Sequence, residues 1–236
     1  MAAMDKSRPG RPPRQEDPEG PDAPAGPDGP RRDPIPGPDA ARAWPNPPEP
    51  DRGFLQGRML IAMPGIDDPR FERALVMVCL HDEEQAMGIA VNRPMEAFTV
   101  ASLLDRLGME AETAPQGPVL LGGPVERARG YVLHTDDFFS HGSTLPVAGG
   151  VAFSDTRDAL EALTDAVRRP RRSIVALGYA GWGPGQLERE LQAGVWLTCE
   201  PDESLLFDVD YDDKWTRALA KIGVSADRLS VESGRA

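Results

Sequence analysis

The chain has 236 residues, with 26 Lys and Arg against 38 Asp and Glu for a formal net charge of −12, and it carries 25 prolines, 24 glycines and two cysteines. An acidic balance of this size argues against a broad electrostatic footprint for nucleic acid, because phosphate contacts need clustered cations. Two cysteines cannot staple a disulfide-rich scaffold, and no apolar run is long enough to span a bilayer.

Fifteen of the prolines fall within Met1 to Pro50, where the large apolar residues are Met1, Met4, Ile35 and Trp44. Such a stretch buries too little apolar surface to offset the entropy of ordering, so residues 1–50 are expected to form a disordered Pro-rich tail. Its arginines are mixed with Asp and Glu, which counts against a transit peptide, and no hydrophobic signal segment precedes the domain, so a cytoplasmic location is expected. Asp51 to Ala236 holds 19 basic and 29 acidic residues and suits one domain with a sizeable core.

In chain order, Met59 to Met63, Ala74 to His81 and Met87 to Asn92 read as buried strands, the last two joined by a polar hairpin turn at His81 to Gln85. Thr99 to Leu107 has helical spacing, with Thr99 as cap and Gly108 as stop. Val119 to Leu121 and Gly130 to His134 continue the strands. Ser154-Asp155 is expected to cap a helix from Thr156 to about Val167, and Arg168-Arg169-Pro170-Arg171-Arg172 then reads as a solvated helix end. Ser173 to Tyr179 reads as a strand that runs into a glycine-laced loop, Gly178 to Glu188. Pro184 to Gln192 is expected to be helical, Val195 to Cys199 and Leu205-Leu206-Phe207 strand-like, and Lys214 to Ile222 a closing helix ended by Gly223. Strands interrupted by isolated helices indicate α+β with a mixed or mostly antiparallel sheet.

Chemistry is harder to place. Arg93, after Asn92 and before Pro94, is positioned to grip a carboxylate or phosphate, although the same three residues also make a turn. Gly122-Gly123 could offer consecutive backbone N–H groups to an anion or simply turn the chain. Tyr179 and Trp182 could wall a pocket whose anion site is the start of the following helix, or fix a structural corner. Neither a phosphate-binding P-loop nor a dinucleotide fingerprint is present. The three histidines, His81, His134 and His141, have no metal spacing, and no serine sits in a nucleophile elbow, so no metal, cofactor or catalytic residue is assigned. Cys79 and Cys199 lie inside apolar runs and are expected as buried thiols, with a disulfide between them left open.

Four segments, taken together, resemble the bacterial YqgE/AlgH family. They are Ala62-Met63-Pro64-Gly65 with Asp68-Pro69-Arg70-Phe71; His81 with Met87 to Pro94; Leu121-Gly122-Gly123-Pro124-Val125; and Gly178-Tyr179-Ala180-Gly181-Trp182-Gly183 with Gln186-Leu187-Glu188. The resemblance covers about Gly53 to Gly223. It implies a single α+β domain whose bifurcated sheet curls into a pseudo-barrel with peripheral helices, in a cytoplasmic bacterial protein, and it implies no established reaction.

The expected role is therefore that of a non-enzymatic binding or regulatory protein acting on a protein partner or small anionic ligand. The site would lie near Asn92, Arg93, Gly122, Gly123, Tyr179 and Trp182. A second reading is a hydrolase or transferase on a small anionic substrate, with Arg93 as binder and His81 or His134 moving the proton. A third is a DNA-linked transcriptional regulator, which the acidic charge opposes.

Overall fold

The computed structural model describes residues 53–229; the Pro-rich segment expected to be disordered lies outside them. The first three strands, β1 (Met59–Ala62), β2 (Leu75–His81) and β3 (Ala86–Ala90), pair antiparallel in sequence order and are buried throughout. Their unbroken apolar runs arise because both faces are covered. Met59, Ile61, Leu75, Met77 and Cys79 face an inner cluster, while Leu60, Ala62, Val76 and Val78 face an outer one.

After β3 come β4 (Pro94–Thr99), α1 (Val100–Arg106), β5 (Pro118–Leu121) and β6 (Val125–Thr135). Thr99 caps α1 as expected, its hydroxyl accepting from the Ser102 N–H at 3.1 Å. A hairpin follows, β7 (Thr144–Ala148) and β8 (Val151–Ser154), turned by Gly149-Gly150 at φ 59° and 78°. Two consecutive positive-φ residues are what a tight two-residue hairpin requires. The remaining elements are α2 (Arg157–Ala162), β9 (Ser173–Trp182), α3 (Gln186–Gln192), β10 (Trp196–Cys199), α4 (Glu203–Phe207) and α5 (Lys214–Lys221).

The main strand order is β10-β1-β2-β3-β9-β6-β8-β7. At one end of that order Gln56, just ahead of β1, donates to the Pro146 carbonyl of β7 at 3.3 Å, and Gly57 leaves no room for a Cβ beside Ala148. The sheet has curled until β7 meets the segment that leads into β1. Leu205, Leu206 and Phe207 of α4 and Trp215, Ala218 and Leu219 of α5 pack into the inner cluster. The α1 and α2 helices cover β6 and β9 through Leu104, Leu160, Val132 and Val175, and α3 covers β1 to β3 through Leu187.

Several expectations need correcting. Ser154 and Asp155 do not cap the helix: Ser154 ends β8, Thr156 precedes α2, and α2 stops at Ala162. The arginine run is consequently not a helix end. Arg171 pairs with Glu203 at 2.5 Å and Arg172 with Asp208 at 3.2 Å, while Arg169 donates to the Thr113 carbonyl at 2.6 Å. Leu205-Leu206-Phe207 is helical because Asp202 accepts from the Leu205 N–H at 2.9 Å, a cap that outweighs three apolar residues in a row. The first part of the glycine-laced loop is strand, since β9 continues to Trp182. No disulfide forms: Cys79 and Cys199 are both buried free thiols, and β1 lies between their strands.

Candidate functional site at the sheet fork

The sheet divides on β9. One side of this strand carries β6 along most of its length. The other side carries β5, parallel, at Ala176 and Leu177, and then β3, antiparallel, from Ala180 to Trp182. Gly178, at φ 72°, sits at the division. Ile174 and Ala176 face the inner cluster and Val175 and Leu177 the α1/α2 side, yet Tyr179 faces inward again. The left-handed residue has slipped the alternation of faces by one position.

Gly122 and Gly123 cross at the same point. The Gly122 N–H donates to the Leu177 carbonyl and its carbonyl accepts from the Ala90 N–H, each at 2.9 Å, so Gly122 ties β5, β9 and β3 together. A Cβ on Gly123 would stand 2.0 Å from the Tyr179 carbonyl carbon. The glycine pair is thus required by backbone contact, and the Gly122 N–H is already engaged.

The other residues expected at a site are placed as follows. Asn92 clamps the start of β2, its Oδ1 accepting from the Leu75 N–H and its Nδ2 donating to the Arg73 carbonyl, both at 2.9 Å. Arg93 Nη2 donates to the Glu72 carbonyl, its Nε is buried with no partner, and burial pulls its pKa below the usual value. Tyr179 meets Tyr131 edge-on at 5.7 Å in the inner cluster, whereas Trp182 lies in the outer cluster and donates from Nε1 to Glu190 at 2.9 Å. Tyr179 and Trp182 therefore face opposite sides of the sheet and do not wall one pocket.

His81 lies at the far end of β2 from the Asn92 clamp, six residues and about 20 Å along the strand. His134 is more than 10 Å beyond the fork by the same reckoning, since it pairs with Ser173 while Gly130 pairs with Leu177. Arg93 and these histidines cannot act on one small substrate. His81 accepts from the Leu55 N–H at Nδ1 (2.8 Å) and donates from Nε2 to Glu188 (2.7 Å). His134 bonds the Thr135 carbonyl through Nδ1 and the Ser154 hydroxyl through Nε2, at 2.8 and 3.0 Å, and Thr144 completes the chain at 2.9 Å. This serine–histidine pair has nucleophile–base geometry, but both residues are 0 % exposed. Burial also holds the His134 pKa down.

Opposite the fork, β6 bulges between Val125 and Gly130 and packs so closely on Gly178 that a Cβ there would meet the Val125 carbonyl oxygen at 2.8 Å. The bulge presents a groove of about 250 Å³. Its apolar walls are Leu103 from α1, Leu107 just after it, Leu160 from α2 and Leu177 from β9; Arg129, Asp155 and Thr156 supply polar groups. Arg129 Nη2 donates to Asp155 Oδ2 at 2.7 Å, with Arg129 28 % and Asp155 7 % exposed. Glu126, at φ 47°, takes bonds from Arg129 at 3.5 Å and the Tyr131 hydroxyl at 3.2 Å. Burial opposes the Arg129 charge, but Asp155, Tyr131 and Glu126 hold its pKa above the usual value. Burial, with Glu126 beside it, pushes the Tyr131 phenol up. The Thr156 hydroxyl, buried at the groove, has no hydrogen-bond partner.

Sequence reading passed over Arg129 and Asp155. The available signal was Gly130, a side-chain-free position inside a strand next to a charge, which marks a bulge or a close approach.

The family model described as AlgH-like (DUF179) matches residues 59–227. This chain belongs to that family. It is 64 % identical over 187 residues to a UPF0301 protein of Caulobacter vibrioides, covering 79 % of this chain and 96 % of the relative. A Nitrobacter hamburgensis UPF0301 protein is 47 % identical over 195 residues, covering 79 % and 90 %. The solution structure of the AlgH protein from Pseudomonas aeruginosa superposes with a TM-score of 0.62 at 36 % identity, over 80 % of this chain and 99 % of that one. A Corynebacterium diphtheriae crystal structure shares the fold at a TM-score of 0.58 and 17 % identity, over 74 % and 88 %. The family assignment and the curled, forked α+β sheet agree with the resemblance read from the four motifs. Among the described residues no helix is long and apolar enough to cross a membrane.

Proposed function

We propose that this bacterial AlgH-like protein is a cytoplasmic regulatory binding protein with no reaction of its own, and that it takes a small ligand with an anionic group in the groove at the fork. The observation that carries this reading is Arg129. It is a partly exposed guanidinium with donors to spare, fixed by Asp155 and Glu126 at the floor of a leucine-walled groove. Gly122 and Gly123 fix the fork beside the groove in this reading, and Tyr179 packs on the opposite face of the sheet. Asn92 and Arg93 hold the turn on the other side of β5, and Trp182 anchors the far branch. The inaccessibility of His134 and Cys79 supports a binding role over catalysis, and the two unpaired cysteines agree with a reducing compartment. The pairing of Arg171 and Arg172 with Glu203 and Asp208 supports ranking DNA last.

A thermal-shift scan of the full chain against organic acids, sugar phosphates, nucleotides and amino acids tests the reading, because a ligand at a hundred times its Kd stabilises by about 2.7 kcal/mol. The shift should vanish in Arg129→Ala and persist in Arg93→Ala. The reverse pattern moves the site to the Asn92-Arg93 turn, and steady turnover of any compound restores the enzyme reading.

A further inference from the structure

We infer that the groove at the fork binds a free apolar α-amino acid as its zwitterion, an inference that rests on the binding role proposed above. Size sets the first limit. About 250 Å³ lies below the roughly 300–1,000 Å³ of sites for drug-sized ligands and suits a single amino acid.

Charge sets the second. Arg129 and Asp155 stand side by side at 2.7 Å, so a simple anion placed on Arg129 meets the Asp155 and Glu126 carboxylates, and a simple cation placed on Asp155 meets Arg129 and Arg157. A molecule bearing both charges on adjacent atoms meets neither repulsion. Its carboxylate fits the N–H donors that Arg129 does not spend on Asp155 and Glu126. Its ammonium fits Asp155 Oδ1, since Oδ2 takes the Arg129 bond.

The third limit is the apolar wall. Leu103, Leu160 and Leu177 are partly or fully buried, and Leu107, 40 % exposed, is an unusually open leucine that an apolar side chain would cover. Gly130 keeps the floor open. A Cβ there would meet only Leu160 Cδ1 at 3.8 Å and Leu177 Cδ2 at 4.0 Å, ordinary contacts, so a larger residue fills the groove without straining the strand.

Calorimetric titration of the full chain with L-leucine, L-phenylalanine, 4-methylpentanoate and 3-methylbutylamine tests the inference. The amino acids should bind at least ten-fold more tightly than the acid or the amine. Arg129→Ala and Asp155→Asn should each weaken binding at least ten-fold, with Arg129→Lys recovering part of the loss. Gly130→Val should abolish binding while unfolding at an unchanged denaturant midpoint. Equal binding of 4-methylpentanoate and L-leucine, unaffected by Asp155→Asn, overturns the zwitterion but keeps the groove. Amino-acid binding that survives Gly130→Val overturns both. No heat from any of the four compounds overturns the amino-acid inference alone, since the wider ligand scan tests the groove separately.

Discussion

Replacing Lys214 by methionine should make the protein's stability less sensitive to pH between neutrality and pH 10. Lys214 is 0 % exposed; its ammonium donates to the carbonyls of Val91 at 3.1 Å and Leu206 at 2.7 Å and lies 5.1 Å from the Tyr211 ring. Among the described residues no carboxylate pairs with it. Burial lowers its pKa from 10.5 to about 7, with Arg217 and Arg172 adding to the effect and Asp208 opposing it. The folded pKa lies below the unfolded one, so the fold favours the neutral amine. Stability from this group is complete above about pH 10.5, declines as pH falls towards 7, and is level below that. Linkage over this window puts the loss between pH 9 and pH 7 at about 2 kcal/mol. Lys214→Met removes that slope and leaves two carbonyls short of a donor, a penalty of about 1–3 kcal/mol that does not vary with pH. Chemical denaturation of both proteins from pH 6.5 to 9.5 provides the assay. The stability of the variant relative to wild type should rise by about 2 kcal/mol on going from pH 9 to pH 7. A difference that stays constant across the range refutes the buried, uncompensated amine.

The fork and the outer cluster give further expectations. Gly123→Ala should cost more than about 3 kcal/mol in denaturant melts, because backbone cannot yield to a Cβ at 2.0 Å, whereas Gly130→Ala should be near neutral; comparable losses would remove the steric account of the fork. Glu190 accepts from Trp182 Nε1 at 2.9 Å, Trp196 Nε1 at 2.7 Å and Gln186 Nε2 at 2.8 Å, so Glu190→Ala should cost about 2–4 kcal/mol and alter tryptophan emission. An unchanged spectrum and midpoint would show that the two indoles do not depend on it. Burial raises the pKa of both thiols, so a thiol reagent should titrate neither Cys79 nor Cys199 in the native protein and both after denaturation. Fast native labelling would place one of them near solvent.

What could be read from sequence was mainly backbone. The buried runs of β1 to β3, the Thr99 cap and the helix ending before Gly223 follow from apolar spacing and end signals, which are local. The β7–β8 hairpin was missed although Gly149-Gly150 announces it, because Ser154-Asp155 also looks like a helix cap and competed for the same residues. The glycine motifs were visible as constraints of shape, and their purpose, three strands meeting at Gly178, was not. That meeting depends on contacts between residues more than fifty positions apart. Arg129 and Asp155 are 26 positions apart and carry no spacing signature, so their pairing is a property of the β6 bulge and the start of α2. Arg93, by contrast, stood out beside Asn92 and Pro94, and its guanidinium turned to the Glu72 carbonyl.

The bulge also carries backbone strain where the groove needs its charge. Glu126 adopts φ 47° although it has a Cβ, a conformation that costs about 1 kcal/mol or more in a residue other than glycine. Its carboxylate is what the strained conformation positions: Arg129 and the Tyr131 hydroxyl both bond to it. Two variants separate these effects. Glu126→Ala and Glu126→Gly lose the same carboxylate, so both should loosen Arg129 and weaken any groove ligand to a similar extent. They differ in the backbone alone, since alanine keeps the Cβ at positive φ and glycine does not. Glu126→Gly should therefore be the more stable of the two by about 1 kcal/mol in denaturant titrations. Equal stability would mean that the bulge relaxes once the carboxylate is gone. In that case the carboxylate bonds, and not the packing against Gly178, hold the bulge in shape, and the groove would owe its form to Glu126 more than to the fork.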